Sequence, residues 1–277
     1  RGEQAAGMPD PKISVGRFLS SVETRTGPQE RTLTLSQAMP WPGTLQLRRD
    51  VADAKAKTVF YRYEATRRQV IERVGLAYFD YAYLSRATAI AKENRALLLQ
   101  LEPAVSDKVR GGANLSLLLR VEVELAKAED QIQTLERQRP GASAKLEAAL
   151  GRKPNGKDLD FGVLPGKLPV LTAKDTLDQR VAGHPLVEGA KSGVFAADQA
   201  LALAELSKKP SMTFGANLID IGDGGDTAAA VTFGFSLPIW REKYRAEERE
   251  AARLKKSAQA NVRDVHLQLL AELDVAY

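Results

Sequence analysis

Pro11-Lys12-Ile13-Ser14-Val15-Gly16 and Pro210-Ser211-Met212-Thr213-Phe214-Gly215 carry one pattern, 199 residues apart. The proline and the glycine coincide. Between them an apolar, a hydroxyl and a second apolar residue follow in order. Trp41 meets Trp240 at the same spacing, and Ala77-Tyr78 meets Ala276-Tyr277. Pro40 and Pro238 stand 198 apart, which places a one-residue insertion between these anchors. Several matches in a fixed order mark a repeated unit. The sequence therefore reads as an internal two-fold repeat. Each unit has a proline, a short alternating segment, a turn-rich linker, a second alternating segment ending at a proline, and a long helical pattern.

The alternating segments have period two, the sign of strands with one apolar face. Ile13, Val15 and Leu19 alternate with Ser14, Gly16 and Ser20, and Leu33, Leu35 and Met39 with Thr32, Thr34, Ser36 and Ala38. In the second unit Met212, Phe214, Ala216 and Leu218 alternate with Thr213, Gly215 and Asn217. Val231, Phe233, Phe235 and Leu237 alternate with Thr232, Gly234 and Ser236. Arg17, Phe18 and Gln37 break the rule. Each run has about nine or ten residues, the length a tilted strand needs to cross a bilayer. The second face carries small and hydroxyl side chains, which suit a water-filled lumen. Ile13, Val15, Leu33, Leu35, Phe214, Val231, Phe233, Phe235 and Leu237 are accordingly the candidate membrane-facing residues. Linkers Ser20 to Glu30 and Asp220 to Ala228 read as hairpin loops. A soluble hairpin packed on helices is the competing reading of the alternation. Trp41 and Trp240 follow the closing prolines, where an indole would lie at a membrane interface; the alternative is a core anchor at a strand end. Four strands cannot close a membrane barrel, so a membrane role requires several chains to pool them.

The helical patterns are long. From Thr44 to Asp107 only Gly75 interrupts a glycine-free run, and Val70, Val74, Ala77, Tyr81 and Leu84 step as a coiled-coil seam. A helix of roughly 60 residues would be about 90 Å long. Pro103 falls near its end. Gly111-Gly112 then breaks the chain, Asn114 is placed to cap a new helix, and Leu117, Val121, Leu125, Ala128, Ile132 and Leu135 form the returning seam. Pro140-Gly141 interrupts that helix or marks a register shift. Pro154, Pro165, Pro169 and Asn155-Gly156 make the following segment irregular. The expected order is 1–10, the end of a truncated helix; 11–40, the first strand pair; 41–150, a helical hairpin; 151–174, an equatorial irregular segment; 175–209, a helix capped by Asp175 or Thr172; 210–238, the second strand pair; and 239–277, the start of a second long helix. Arg1-Gly2-Glu3 reads as a helix tail rather than a natural start, and a second hairpin is expected beyond Tyr277.

These features together resemble the TolC-like outer-membrane efflux proteins, the outer component of tripartite pumps. The resemblance rests on the prolines and glycines of the two strand openings, on Leu35-Ser36-Gln37 through Pro40, on Phe235-Ser236-Leu237-Pro238, on Arg110-Gly111-Gly112-Ala113-Asn114 as a helix-turn tip, and on His184-Pro185-Leu186 opening a helix. It implies an α+β membrane protein: a homotrimer sharing a twelve-stranded β-barrel in the outer membrane, with helical coiled-coil hairpins forming a periplasmic α-barrel. It implies contact with outer-membrane lipid, and docking to a periplasmic adaptor (membrane fusion protein) and an inner-membrane efflux pump. The adaptor-facing tip would comprise Lys108, Val109, Arg110, Gly111, Gly112, Ala113 and Asn114. Pro9-Asp10-Pro11-Lys12 is closest to the heavy-metal-resistance branch. The rival reading is a soluble periplasmic coiled-coil adaptor or scaffold.

Composition supports no enzyme, cofactor or metal site. Among 277 residues there are two histidines and no cysteine, so disulfides and thiolate sites are excluded. His184 reads as a helix-start residue, and His266 and Asp264, two apart on a helix, do not share a face. Gly222 to Asp226 lacks the ligand spacing of a calcium loop. The net charge of +5 is spread among mixed charges, not blocked as for nucleic acid. No run of about 18 apolar residues occurs.

Overall fold

In the computed structural model, which describes residues 2–25, 27–155, 159, 170–223 and 225–277, each alternating segment forms a strand. These are β1 (Lys12–Thr24), β2 (Gly27–Met39), β3 (Ser211–Ile221) and β4 (Ala228–Ser236). They make one antiparallel sheet in the order β1-β2-β3-β4. The helices are α1 (Gly2–Ala5), α2 (Thr44–Arg110), α3 (Ser116–Ala149), α4 (Lys174–Val181), α5 (Pro185–Leu206) and α6 (Arg241–Ala276). None is long and apolar enough to cross a membrane. The chain divides into two units, Arg1–Ala65 with Thr172–Tyr277, and Thr66–Leu171. Helix α2 begins in the first and ends in the second.

In the first unit, α5 packs along α6. Val187, Ala196 and Ala251 are buried there. Ion pairs lace the edges: Lys255 to Asp198 at 2.5 Å, and Lys208 to Glu248. Gly189 lets α5 approach α2, since a Cβ on it would lie 3.3 Å from the Cβ of Tyr61. Lys174 of α4 reaches Asp274 of α6 at 2.5 Å. The hydrogen bond and charge of Asp274 raise the Lys174 pKa. This pairing is present at neutral pH and lost only as alkaline pH strips the ammonium of its proton.

In the second unit, the distal part of α2 and α3 form an antiparallel hairpin. Lys92 pairs with Glu136 at 2.7 Å and Arg95 with Glu129 at 3.4 Å. Both pairs are placed symmetrically about the turn at 111–114. The core there is Tyr81, Ala142 and Leu146, with Ala77, Tyr78, Leu84 and Leu159 against it. The expected seams face inward at Tyr81 and Ile132, but Val70 and Leu117 are exposed. Polar groups share this core. The Tyr81 hydroxyl donates to the Leu159 carbonyl and accepts from the Arg139 guanidinium at 3.4 Å. The Arg139 Cζ lies 5.7 Å from the Tyr81 ring centroid. Glu147 is buried and accepts the Asn155 N–H at 3.0 Å.

Several expectations are corrected. Pro140-Gly141 neither ends α3 nor shifts its register. The inward positions Leu135, Arg139, Ala142 and Leu146 step by four, three and four through it, so the proline costs one backbone donor without turning the face. The helix expected at 175–209 is two helices. Gly183 and His184 separate α4 from α5, and the His184 imidazole caps α5, its Nδ1 accepting the Leu186 N–H at 3.3 Å with Pro185 at the first helical position. Neither Asp175 nor Thr172 caps α4; Ala173 holds that place. Helix α1 stops at Ala5, well before residue 10. The linker read at Ser20 to Glu30 is mostly strand, because β1 and β2 pair out to Thr24↔Gly27 past a register shift between Arg17 and Val22. That shift coincides with Arg17 and Phe18, which break the alternation. Of the irregular segment 151–174, residues 156–158 and 160–169 lie outside the described residues.

Helix α2 closes in a Schellman motif. The Ala113 N–H reaches the Lys108 carbonyl and the Gly112 N–H the Val109 carbonyl, both at 3.0 Å. Gly112 has φ +102°, whereas Gly111 is unstrained and a Cβ there meets nothing closer than 3.4 Å. Gly112→Ala should therefore cost about 1–2 kcal/mol locally and speed amide exchange across 108–116 by about tenfold, while Gly111→Ala leaves it unchanged. Equal exchange in both variants would refute the cap.

Candidate functional site

The cross-strand register shows how the chain sorts its two sheet faces. Ile13, Leu35, Ala216 and Val231 form one row across all four strands. Val15, Leu33, Leu218 and Ala229 form the next on the same face. Toward the helix end follow Gln37, Phe214 and Phe233, then Met39, Met212 and Phe235. The opposite face alternates with them: Ser14, Thr34, Asn217 and Ala230 in one row, and Lys12, Ser36, Gly215 and Thr232 in another. On this face glycine meets threonine at Gly16↔Thr32, Gly215↔Thr232 and Gly234↔Thr213. A Cβ on Gly16 or Gly215 would lie 2.6 Å from the hydroxyl of Thr32 or Thr232.

Eight of the nine residues singled out by alternation, all but Leu237, lie in strands on the apolar face. Leu237 follows the end of β4. Six positions outside that set complete the rows: apolar Met39, Met212, Ala216, Leu218 and Ala229, and the polar Gln37. The face is uncovered: Val15 is 77% exposed, Val231 72% and Phe233 65%. Phe214 and Phe233, directly opposite, meet edge to face at 5.2 Å. Such a pair is worth about 0.5–1.5 kcal/mol beyond burial. Gln37 breaks the alternation but is satisfied locally. Its side-chain amide donates to the carbonyls of Pro9 at 2.7 Å and Ala38 at 3.0 Å, which ties the entry of β1 to β2. Among the described residues, strands β1 and β4 each pair on one side only, so both edges of the sheet present unpaired backbone.

The two tryptophans differ in environment. Trp240 is 72% exposed just before α6. Trp41 is half-buried, and the Lys209 ammonium lies 5.9 Å from its ring centroid. Trp41 thus has a structural contact in addition to its place at the strand end.

At the other candidate site, 108–114 is a tight interhelical turn. Asn114 accepts the Ser116 N–H on its side-chain oxygen at 2.9 Å. Leu115 already has helical angles, so Asn114 is the capping residue of α3. Asp107 and Arg110 approach to 3.5 Å, both largely exposed. An exposed pair of this kind adds little stability. Leu115, Leu117 and Leu119 are exposed beside the turn. Among the described residues, no group of three or more His, Asp or Glu side chains gathers as metal ligands would.

No protein-family profile and no curated protein matches the chain. Solved structures do. The outer-membrane protein VceC from Vibrio cholerae superposes with a TM-score of 0.73 at 16% identity, over 98% of this chain and 70% of its own. CusC, whose structures concern folding and transmembrane channel formation, gives 0.73 at 16% identity, over 99% and 67%. The CmeC outer-membrane channel of Campylobacter jejuni gives 0.67 at 16% identity, over 98% and 62%. This chain has the fold of these proteins, in agreement with the TolC-like pattern read from the sequence, and spans roughly two thirds of their length.

At the end of the sheet away from the tryptophans, Gly27 has φ +131°, and a Cβ on it would lie 2.4 Å from the Gly222 carbonyl oxygen. The Gly222 N–H in turn donates to the Pro28 carbonyl at 2.8 Å. Gly27→Ala should cost about 1–3 kcal/mol and open that end of the sheet to protease, whereas Gly75→Ala, with nothing within 4 Å, should not. Unchanged cleavage within 20–30 in Gly27→Ala would refute the close packing.

Proposed function

We propose that this chain is a subunit of an outer-membrane export channel whose sheet joins those of two further copies in one transmembrane β-barrel. The observation that carries the reading is the sheet itself. Among the described residues it has one uncovered face, apolar except for Gln37 as far as the charged row Arg17, Arg31 and Asp220, one face mostly of small and hydroxyl side chains, and two unpaired edges. In water such an apolar face and such edges favour aggregation. In lipid, edge-to-edge closure pairs every backbone group, the apolar face meets acyl chains and the polar face lines water. Four strands are too few to close alone, and three copies supply twelve. The likeness to outer-membrane channels supports the location. Two hairpins, each followed by a helix, are the order a repeated unit would produce.

On this reading the protein is a passive duct rather than an enzyme. The helical hairpin of distal α2 and α3, 66–149, belongs to its periplasmic part, and the turn Lys108 to Asn114 is where a periplasmic adaptor, linked to an inner-membrane pump, would dock. Heavy-metal cations are the cargo favoured by the opening Pro9-Asp10-Pro11-Lys12. They would pass as substrate through a hydrated lumen. The adaptor alternative calls for a β domain split around one hairpin, whereas here two hairpins join edge to edge.

Phe233→Lys should place an ammonium against lipid at a cost of about 2–4 kcal/mol, and sharply lower the yield of detergent-stable, heat-modifiable trimer. Thr34→Lys, on the opposite face, should assemble normally. Equal trimer yields, or a wild-type protein that is a soluble monomer, would overturn the barrel. Gly112→Val should leave trimers intact and abolish export in cells; normal export would remove the tip from the mechanism.

A further inference from the structure

We propose that the junction of β4 and α6 binds a membrane phospholipid, its phosphate seated among Lys208, Arg241 and Arg245 and its acyl chain laid along Leu237 and Ile239. The site rests on the channel reading, which puts the strand ends at a membrane surface.

A pocket at this junction is lined by Lys208, Pro238, Arg241, Tyr244 and Arg245. Three cations and a phenol line it, and no carboxylate does. The nearby carboxylates are already engaged. Glu242 holds Arg245 at 2.8 Å, Glu248 holds Lys208, and Glu247 holds Lys243 at 3.8 Å and the Ser207 hydroxyl at 3.2 Å. Arg241 makes no ion pair among the described residues. The pairs at Lys208 and Arg245 are solvent-exposed and therefore weak, so both side chains remain able to turn toward an anion. Guanidinium groups present paired donors that match phosphate oxygens two at a time.

The placement of these cations is costly for the helix. Arg241, Lys243 and Arg245 all lie in the first five residues of α6, where the helix dipole disfavours positive charge. A phosphate beside them reverses that penalty. Pro238 supplies the apolar wall of the pocket, and its two chain neighbours, Leu237 and Ile239, are 72% and 67% exposed, with Trp240 next to them. A charged pocket that runs directly into an exposed apolar run fits an anionic headgroup with an attached hydrocarbon. Inorganic phosphate would leave the apolar run unoccupied.

The test uses the full chain, purified in mild detergent, stripped of lipid and offered phosphatidylglycerol, with bound lipid per chain read by native mass spectrometry. The wild type should retain lipid, and an excess of inorganic phosphate should not displace it. The double variant Arg241→Gln, Arg245→Gln should bind about tenfold more weakly or worse, while Arg249→Gln, outside the pocket, binds as the wild type. Undiminished binding by the double variant overturns the site. Full displacement by equimolar inorganic phosphate overturns the lipid as its ligand. A detergent-stable trimer that retains no lipid overturns the site and leaves the channel standing, whereas a chain soluble without detergent overturns the channel reading and the site's membrane role together.

Discussion

The ladder from Gln29↔Ile221 to Met39↔Met212 joins strands separated in the chain by four helices, and both faces of the sheet depend on it. Each hairpin alone would bury little and be marginal in water. Joined through β2 and β3, the two hairpins align their apolar residues in common rows. A slip of one residue in this ladder would send Phe214 and Leu218 to the polar face. The long connection between β2 and β3 adds only slowly to the cost of closure, because loop entropy grows with the logarithm of length. Helices α5 and α6, packed against each other and flanking β3 and β4 in the chain, hold one side of that connection in place.

The period-two pattern made the strands, their facing residues and the polar second face legible, because a face is a local property of alternation. Neighbours are not local. Nothing in Leu33 or Leu218 announces that they stand opposite one another, so the two strand pairs are legible but their joining through β2 and β3 is not. The strand ends were misread for a related reason. Arg17, Phe18 and the polar run Ser20 to Glu30 look like a loop by composition, yet backbone pairing out to Thr24↔Gly27 needs no apolar side chains. The helical tip was legible because its signals are conformational. Gly112 takes φ +102° and Asn114 caps α3, both demands that few other residues meet.

The helical hairpin shows the limit of seam counting. Its inward stripe runs through Arg139, which periodicity alone would mark as apolar. The side chain is accommodated because Tyr81 offers both an acceptor oxygen and a ring face to the guanidinium. Glu147, one turn beyond Ser143 on the same stripe, is buried but receives the backbone N–H of Asn155. A buried carboxylate without such a donor would be costly. This polar end of the core therefore ties the hairpin's base to the chain that follows it, which an all-leucine seam would not do. Pro140 sits within the same stretch without disturbing it, since a helix flanked by good neighbours tolerates one lost hydrogen bond.

The two parts of the molecule differ in how completely they satisfy themselves. In the hairpin, Tyr81, Leu146 and their neighbours are enclosed, and Lys92–Glu136 and Arg95–Glu129 decorate its outside. In the sheet, every strand side chain of the apolar face except a few near β2 and β3 remains open, and two edges lack partners. Among the described residues, the sheet places Val, Ile and Phe outward on one face and mostly Gly, Ser and Thr on the reverse, and that apolar face is left uncovered. On the channel reading proposed above, its stability comes from an apolar medium on one side, water on the other and like edges at the ends. Insertion, assembly and folding of the sheet are on this argument one event, and the helices are the part able to form before it.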